Sequence, residues 1–402
     1  METFIWPSNP PNGCPFEPSK KVKGITFMGR HAEYTDADTW YPSWAMDGNM
    51  YSPWTDGRIG EASCWSMNLV FLLDKIIRKD ANKRLIELIK DFDSGKFPST
   101  GQAKITGDDP TSLKIVNLGI HSGSADPYRG RYPCGSLFHN DVWYYGTYCL
   151  DESERGLNWD ILGPFVGFRV SMDFGKTWTE TPHTPRKPIF GETGKEGAKV
   201  KIGAPHFVDF GKNMEHSPDA KAYLVGHGAV RPDANLSWIS GDQIYLIRVT
   251  PSVENINDRS KYEFFAGHNA QGKPIWSSDF QEIKPLVQWD NHCGCVTATY
   301  NAPLKKYLMC ITDGWPTIET MNTFILESDE ITGPWKLVTF MERFGEQGYF
   351  VNIPSKFISD NGKSAWLCYS ANFTNSYLEK KWESKPAGSR YAMCLHQIEF
   401  VM

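Results

Sequence analysis

The stretches of this 402-residue sequence best suited to chemistry are five short polar loops, each just ahead of an apolar, strand-like run. They supply Asp36, Asp38, Trp40 and Tyr41; then Tyr128, Arg129, Arg131 and Tyr132; then Lys201 and His206; then Asp290, Asn291 and His292; and last Gln347, Tyr349 and Asn352. His31 in GRHAEY and His121 in GIHSGS stand just upstream of the first two. Aromatic faces that cover C–H surfaces, beside amides and charges that bind hydroxyls or a carboxylate, are what a sugar site needs. On this reading Asp38, Trp40, Tyr41, Lys201, His206, Asn291 and Asn352 bind substrate. Each position also has a structural reading. Asp36 and Asp38 can cap their loop, Arg129 and Arg131 can bridge neighbouring sheets, and His206 and His292 can be hydrogen-bonded loop histidines. His216 and His227 can brace a long loop. The case for a site rests on convergence from five places.

Convergence needs a repeated element, and the chain contains one. WYPSWAMDGNMYSPW at Pro42, RYPCGSLFHNDVWYYGTY at Pro133, GAPHFVDFG with AYLVGHG at Pro205, and NIPSKFISDNGKSAWLCYS at Pro354 share a pattern: an aromatic or apolar residue, proline, an apolar run, a polar turn and an aromatic-rich strand. A fifth unit, NHCGCVTATYNAPLKKYLMCITDG, carries Cys293 at the proline position. Asp-Gly, Asn-Asp and Asn-Gly in the turns predict hairpins. The units lie further apart than the roughly 40 to 50 residues of compact propeller repeats, so their loops must be elaborated. The pattern predicts an all-β, single-domain β-propeller over 26–402 with five recognisable units, six or seven blades remaining open, after an irregular Pro-rich segment at 1–25. Apolar residues at helical spacing predict a packing helix inserted near 69–95. The C-terminal YAMCLHQIEFV is expected to pair with early residues and close the ring.

Residues 171–178, SMDFGKTW, fit Ser-x-Asp-x-Gly-x-Thr-Trp at every fixed position. Asp173 is expected to accept backbone donors within its turn, Gly175 to take a backbone angle that a side chain hinders, and Trp178 to pack between sheets. The motif marks a hairpin, away from the chemistry.

Composition narrows the partner. Formal net charge is −5 with no basic run, which leaves no field for nucleic acid. No apolar stretch reaches the roughly 18 residues of a membrane span. The nine cysteines are odd in number and sit mostly in apolar runs, so they read as buried small hydrophobes. Cys293 and Cys295 beside His292 lack a second ligand pair at zinc-finger spacing. Asn235-Leu-Ser and Asn372-Phe-Thr are glycosylation acceptors only in a secreted eukaryotic product.

SMDFGKTW resembles the Asp-box of sialidases and other glycan-processing propellers. DTWYPSWAMDGNMYSPWTDG with KITGDDPTSLKI resembles the first blade of a propeller group from polysaccharide-degrading microbes, and ESDEITGPW is similar to a blade motif of arabinan- and xylan-cleaving propellers. The arrangement, with His31 before the first blade, resembles the propeller enzymes that release terminal L-rhamnose from D-glucuronate in arabinogalactan side chains. That resemblance implies an exo-acting polysaccharide lyase working by β-elimination on an oligosaccharide or polysaccharide; separately, an extracellular monomer is expected. Of the residues, the resemblance points most directly to His31; His31 or His292 would remove the C5 proton, Tyr132 or Tyr349 would protonate the leaving oxygen, and Arg129 and Arg131, which come only from the repeat alignment, would neutralise the uronate. No cofactor is required, although calcium near the axis is compatible. The alternatives are a hydrolase, with Asp38 and Asp290 as the carboxyl pair and Glu346 and Glu215 in reserve, and a non-catalytic glycan-binding propeller. Sialidase chemistry, drawing on Arg30, Arg129, Arg131 and Tyr349, fits the surrounding motifs poorly.

Overall fold

Strands in the middle of the molecule are buried on both faces. In the computed structural model, which describes residues 2–68, 97–152, 161–316, 319–377 and 382–402, β13 (Ala222–Gly228) and β19 (Lys306–Asp313) are buried at every position. The outer strand β8 (Lys114–Ser122) is exposed at both ends and only partly covered between. Continuous burial in central strands is the signature of sheets covered on both sides, and here the cover on each side is another sheet.

Five antiparallel sheets make up the blades. Blade 1 joins β3 (Asp36–Asp38), β5 (Met50–Ile59), β7 (Ser99–Thr106) and β8, with β4 (Ser43–Trp44) and β6 (Ala62–Cys64) on β5. Blade 2 is β9 (Gly130–His139), β10 (Val142–Asp151) and β11 (Ile161–Ser171). Blade 3 is β12 (His206–Phe207), β13, β14 (Gln243–Val249), β15 (Tyr262–His268) and β16 (Pro274–Ser277), with β17 (Pro285–Gln288) against β14. Blade 4 is β18 (Val296–Asn301), β19, β20 (Asn322–Ser328) and β21 (Lys336–Met341). Blade 5 starts with β22 (Tyr349–Asn352) and β23 (Ser364–Ser370), continues to β24 (Met393–Val401), and is completed by β2 (Gly24–Tyr34) and β1 (Phe4–Ile5). The inner strands touch in sequence, β9 with β12, β12 with β18 and β18 with β22. The fold is a five-bladed β-propeller. The helix expected near 69–95 falls outside the described residues; the one α-helix within them is the short Phe373–Tyr377. No helix among the described residues is long and apolar enough to cross a membrane.

Local chemistry explains the turns. Asn140 and Asp141 join β9 to β10 with φ of 49° and 60°, the left-handed pair of a two-residue hairpin. At the Asp-box, Asp173 Oδ1 accepts from the Lys176 and Thr177 amides at 3.1 and 2.8 Å, and Thr177 Oγ1 donates to Oδ2 at 2.6 Å. These bonds hold the Asp173 carboxyl down at about 2. Gly175, at φ 83°, lies under Trp143, and Trp178 packs on Trp143 and Tyr145 at ring distances of 5.1 and 5.7 Å. The motif pins the outer hairpin of blade 2 against blade 1, where Ala45 and Tyr51 join the same cluster.

Ring closure joins the two ends of the chain. Gly24 to Phe27 pair with Val401 to Ile398, and after a bulge His31 to Tyr34 pair with His396 to Met393. Phe27, buried, stacks on Phe4 at 5.4 Å and contacts Trp6 and Phe344. Phe27→Ala removes the centre of this seam and should cost about 3–5 kcal/mol, read as a lower urea midpoint at unchanged slope.

Candidate functional site

Asp38 sits at the end of β3, the inner strand of blade 1, and is buried. Its Oδ1 accepts from Thr39 Oγ1 at 2.7 Å, and its Oδ2 accepts from the Tyr349 hydroxyl at 2.9 Å, a bond from blade 1 to blade 5 across 311 residues of sequence. Burial, reinforced by the nearby Asp56 carboxylate, pushes its pKa well above the ordinary carboxylate range. Asp56 lies on β5, where its φ of 50° turns the carboxylate toward Ser66. There it accepts from the Ser66 amide at 2.8 Å and from Ser66 Oγ at 2.6 Å. Burial still outweighs those bonds and raises Asp56 to about 6. The Tyr391 hydroxyl donates to the Asp56 carbonyl at 2.5 Å and also favours the charged form of Asp38. Burial first, and then the Asp56, Asp38 and Glu152 carboxylates, push the Tyr132 phenol well above its ordinary pKa.

The floor of the site is aromatic. Trp238 meets Tyr349 edge-on at 5.1 Å and Phe350 at 5.3 Å. Tyr132 and Tyr148 are 5.8 Å apart, and the Tyr41 ring lies 3.9 Å from the imidazole of His206. Tyr148 Oη, Trp238 Nε1 and both nitrogens of His206 are buried without hydrogen-bond partners. Burial, with His227 second, holds His206 down at about 3, so its ring is neutral. A cavity continues below Tyr41 and His206 between Gly135, Phe210, Thr297 and Asn352. The arrangement offers one carboxyl group raised well above the ordinary range, a second raised to about 6, and unpartnered polar atoms on Tyr148, Trp238 and His206.

Of the residues expected from sequence, Asp38, Tyr41, Tyr132, His206, Tyr349 and Asn352 come together here, with Asn352 Nδ2 donating to the Trp40 and Phe350 carbonyls at 2.9 Å. The others serve elsewhere. His31 Nδ1 bonds Glu33 Oε1 at 2.7 Å and its ring stacks on His396, between β2 and β24. His292 Nδ1 is 2.9 Å from Asp313 Oδ2, and its ring covers Trp289. Arg129 is half exposed, 3.8 Å from Asp151. Arg131 Nε donates to Thr147, and its guanidinium faces Glu180 at 3.6 Å. Trp40 is a packing residue, its Nε1 on the Ala37 carbonyl and its ring in the cluster between blades 1 and 5. The Lys201 amide bonds Glu192, and its ammonium sits over Phe280. Asn291 receives the Asn235 amide. Asp36 pairs with Arg390, Asp290 with Arg231, Glu346 with Arg343, and Glu215 is exposed beside His216. The Tyr128 hydroxyl bonds the Thr193 carbonyl, and Gln347 holds Thr374.

All nine cysteines are free, and all but Cys14 are buried. For calcium, no group of three or more His, Cys, Asp or Glu among the described residues is placed to hold an ion. Asn372 is buried, with Nδ2 on the Ser389 carbonyl, so that sequon is closed to a glycan. Sequence reasoning missed Asp56, Glu152, Tyr148, Trp238 and Tyr391. Asp56 is a left-handed residue within β5, a placement that its sequence neighbours do not signal.

Linkage gives a test of the pair. The folded-state pKa of Asp56, about 6, exceeds its ordinary 3.8, so the folded state binds more protons between those values. Stability assigned to this group is therefore full below about pH 4 and lost as pH rises through 6. Relative to Asp56→Asn, the wild type should lose on the order of 2–3 kcal/mol across that window, measured by urea unfolding at fixed salt.

No family model matches the chain, and no curated protein sequence matches it. Solved structures are similar in fold. A protein of Bacteroides ovatus ATCC 8483 aligns with TM-score 0.50 and 12% identity over 99% of this chain and 93% of that one. The GH43_1 enzyme from Xanthomonas citri aligns with TM-score 0.45 and 12% identity over 91% and 87%. The α-L-arabinofuranosidase PaAbf62A from Podospora anserina, solved with cellotriose, aligns with TM-score 0.41 and 12% identity over 100% and 98%. At such identities the likeness of the Bacteroides ovatus protein concerns the chain fold, that of a five-bladed β-propeller.

Proposed function

We propose that this protein is a glycoside hydrolase that cleaves a terminal sugar from a polysaccharide or oligosaccharide, with Asp38 as the general acid. The observation that carries the reading is the buried Asp38 carboxyl, held by Tyr349 and kept protonated by burial and by Asp56. A glycosidase needs one carboxyl group that retains its proton near neutral pH and a second that is ionised. Asp56, bonded to Ser66, supplies the charge that sets the first. The elimination reading is left with less support: Arg131 is turned to Glu180, and His31 to Glu33.

Two results test this. Asp38→Asn should lower turnover of aryl glycosides or plant polysaccharides by at least about 100-fold with the fold intact by circular dichroism. In the wild type, new reducing ends should appear without absorbance near 235 nm; an unsaturated uronate there would overturn hydrolysis. In Tyr349→Phe, Asp38 loses a donor that favours its charged form. Its pKa should rise, and the alkaline limb of the kcat/KM profile, which reports the acid, should move to higher pH.

A further inference from the structure

Outside the channel, the seam between blades 1 and 2 holds two buried guanidinium groups facing one carboxylate. Arg131 comes from β9, Arg169 from β11 and His121 from the end of β8, while Glu180 follows the Asp-box hairpin. Arg169 is only 3% exposed. Its Nη2 donates to Thr100 Oγ1 at 2.5 Å and its plane lies over Tyr145 at 4.4 Å, but its Nε and Nη1 have no hydrogen-bond partner. Arg131 donates from Nε to Thr147 Oγ1 at 2.9 Å and from Nη1 to the Ser124 carbonyl at 3.4 Å. Glu180 stands 3.6 Å from Arg131 Nη2 and 3.8 Å from Arg169 Nε, too far for hydrogen bonds, and is drawn to His121 Nε2 at 2.6 Å. Although burial opposes it, His121 and the two arginines together pull the Glu180 carboxyl down to about 2.

Charge and donor counts both fail to balance. Two guanidinium groups are always charged and carry five N–H donors each, and a single carboxylate stands against them at a distance. A buried charge without an opposite partner is costly, and unmet Arg donors match the planar oxygens of a second carboxylate. Glu180 and His121, whose side chains are 42% and 27% exposed, form the solvent side of the seam, and Arg169 Nε and Nη1 lie buried behind them.

We propose that the blade 1–blade 2 seam is a binding site for a small carboxylate anion, taken up by Arg169 and Arg131 beside Glu180. The carboxylate comes either from a free small acid or from a sugar acid at the end of a glycan. The site is independent of the channel, so its success or failure leaves the glycosidase reading unaffected.

The test is thermal unfolding of the full chain against sodium formate and sodium D-glucuronate at constant ionic strength, with Arg side-chain Nε–H resonances followed in parallel. Wild type should show a saturable rise in Tm and a saturable shift of the Arg169 Nε–H signal. Glu180→Gln, which removes the competing internal charge and keeps its shape, should reach half-saturation at least about tenfold lower in formate. Glucuronate acting like formate would identify a sugar acid as a ligand; formate acting alone would identify a free small acid. A linear, non-saturating rise equal in both proteins, with an unmoved Arg169 signal, overturns the site. Should Glu180→Gln fail to fold, the wild-type resonance titration decides alone.

Discussion

Everything in this molecule depends on closing a ring with a strand from the far end of the sequence. Five twisted sheets leave a seam, and an open seam exposes both an edge and two apolar faces. Pairing β2 with β24 removes the edge, and the Phe4, Trp6, Phe27 and Phe344 cluster fills the space behind it. The same closure assembles the site, because Asp38 and Trp40 meet Tyr349 and Asn352 only when blade 1 stands beside blade 5. The side chain with the most altered chemistry is therefore held by a bond that forms last in the topology.

The channel and the rim of the propeller divide two tasks. On the rim, the Asp-box satisfies its own carboxylate and packs tryptophan on tryptophan, which gains stability from locally complete bonding. In the channel the reverse holds. Tyr148, Trp238 and His206 are buried with polar atoms unmet, and two carboxyl groups are kept in a setting that raises their pKa values. Such groups lower the stability of the free protein. Their grouping on one axis is the reason to place chemistry there rather than at the more recognisable motif.

The fold was readable because repetition is a strong signal. Four units with a proline and a fifth with Cys293 in its place recur, and the five correspond to the five observed blades. The site was readable in part. Asp38, Tyr132, His206 and Tyr349, expected in loops ahead of the inner strands, lie on those strands themselves, and it is the strands that bring them together. Position in a loop does not tell which way a side chain faces, so Trp40 proved to be core and Arg131 turned outward to Glu180. Asp56 and Tyr391 were out of reach because Asp56 sits within β5, the second strand of its blade, and Tyr391 in the bend just before β24, where no local pattern marks them. His31 stood out by its place before the first blade, yet its pairing with Glu33 and His396 follows from a bulge between β2 and β24 that no local pattern encodes.

The closing pair of strands also sets a clock for the newly made chain. β2 is finished within the first 34 residues, while its partner β24 begins at Met393. At about 5–20 residues per second of synthesis, β2 waits roughly 20–70 s with one hydrogen-bonding edge and the Phe27 face uncovered. During that interval blades 2 to 4 can form from neighbouring sequence, but blade 5 cannot. Blade 5, and with it the ring, therefore closes only once β24 has been made.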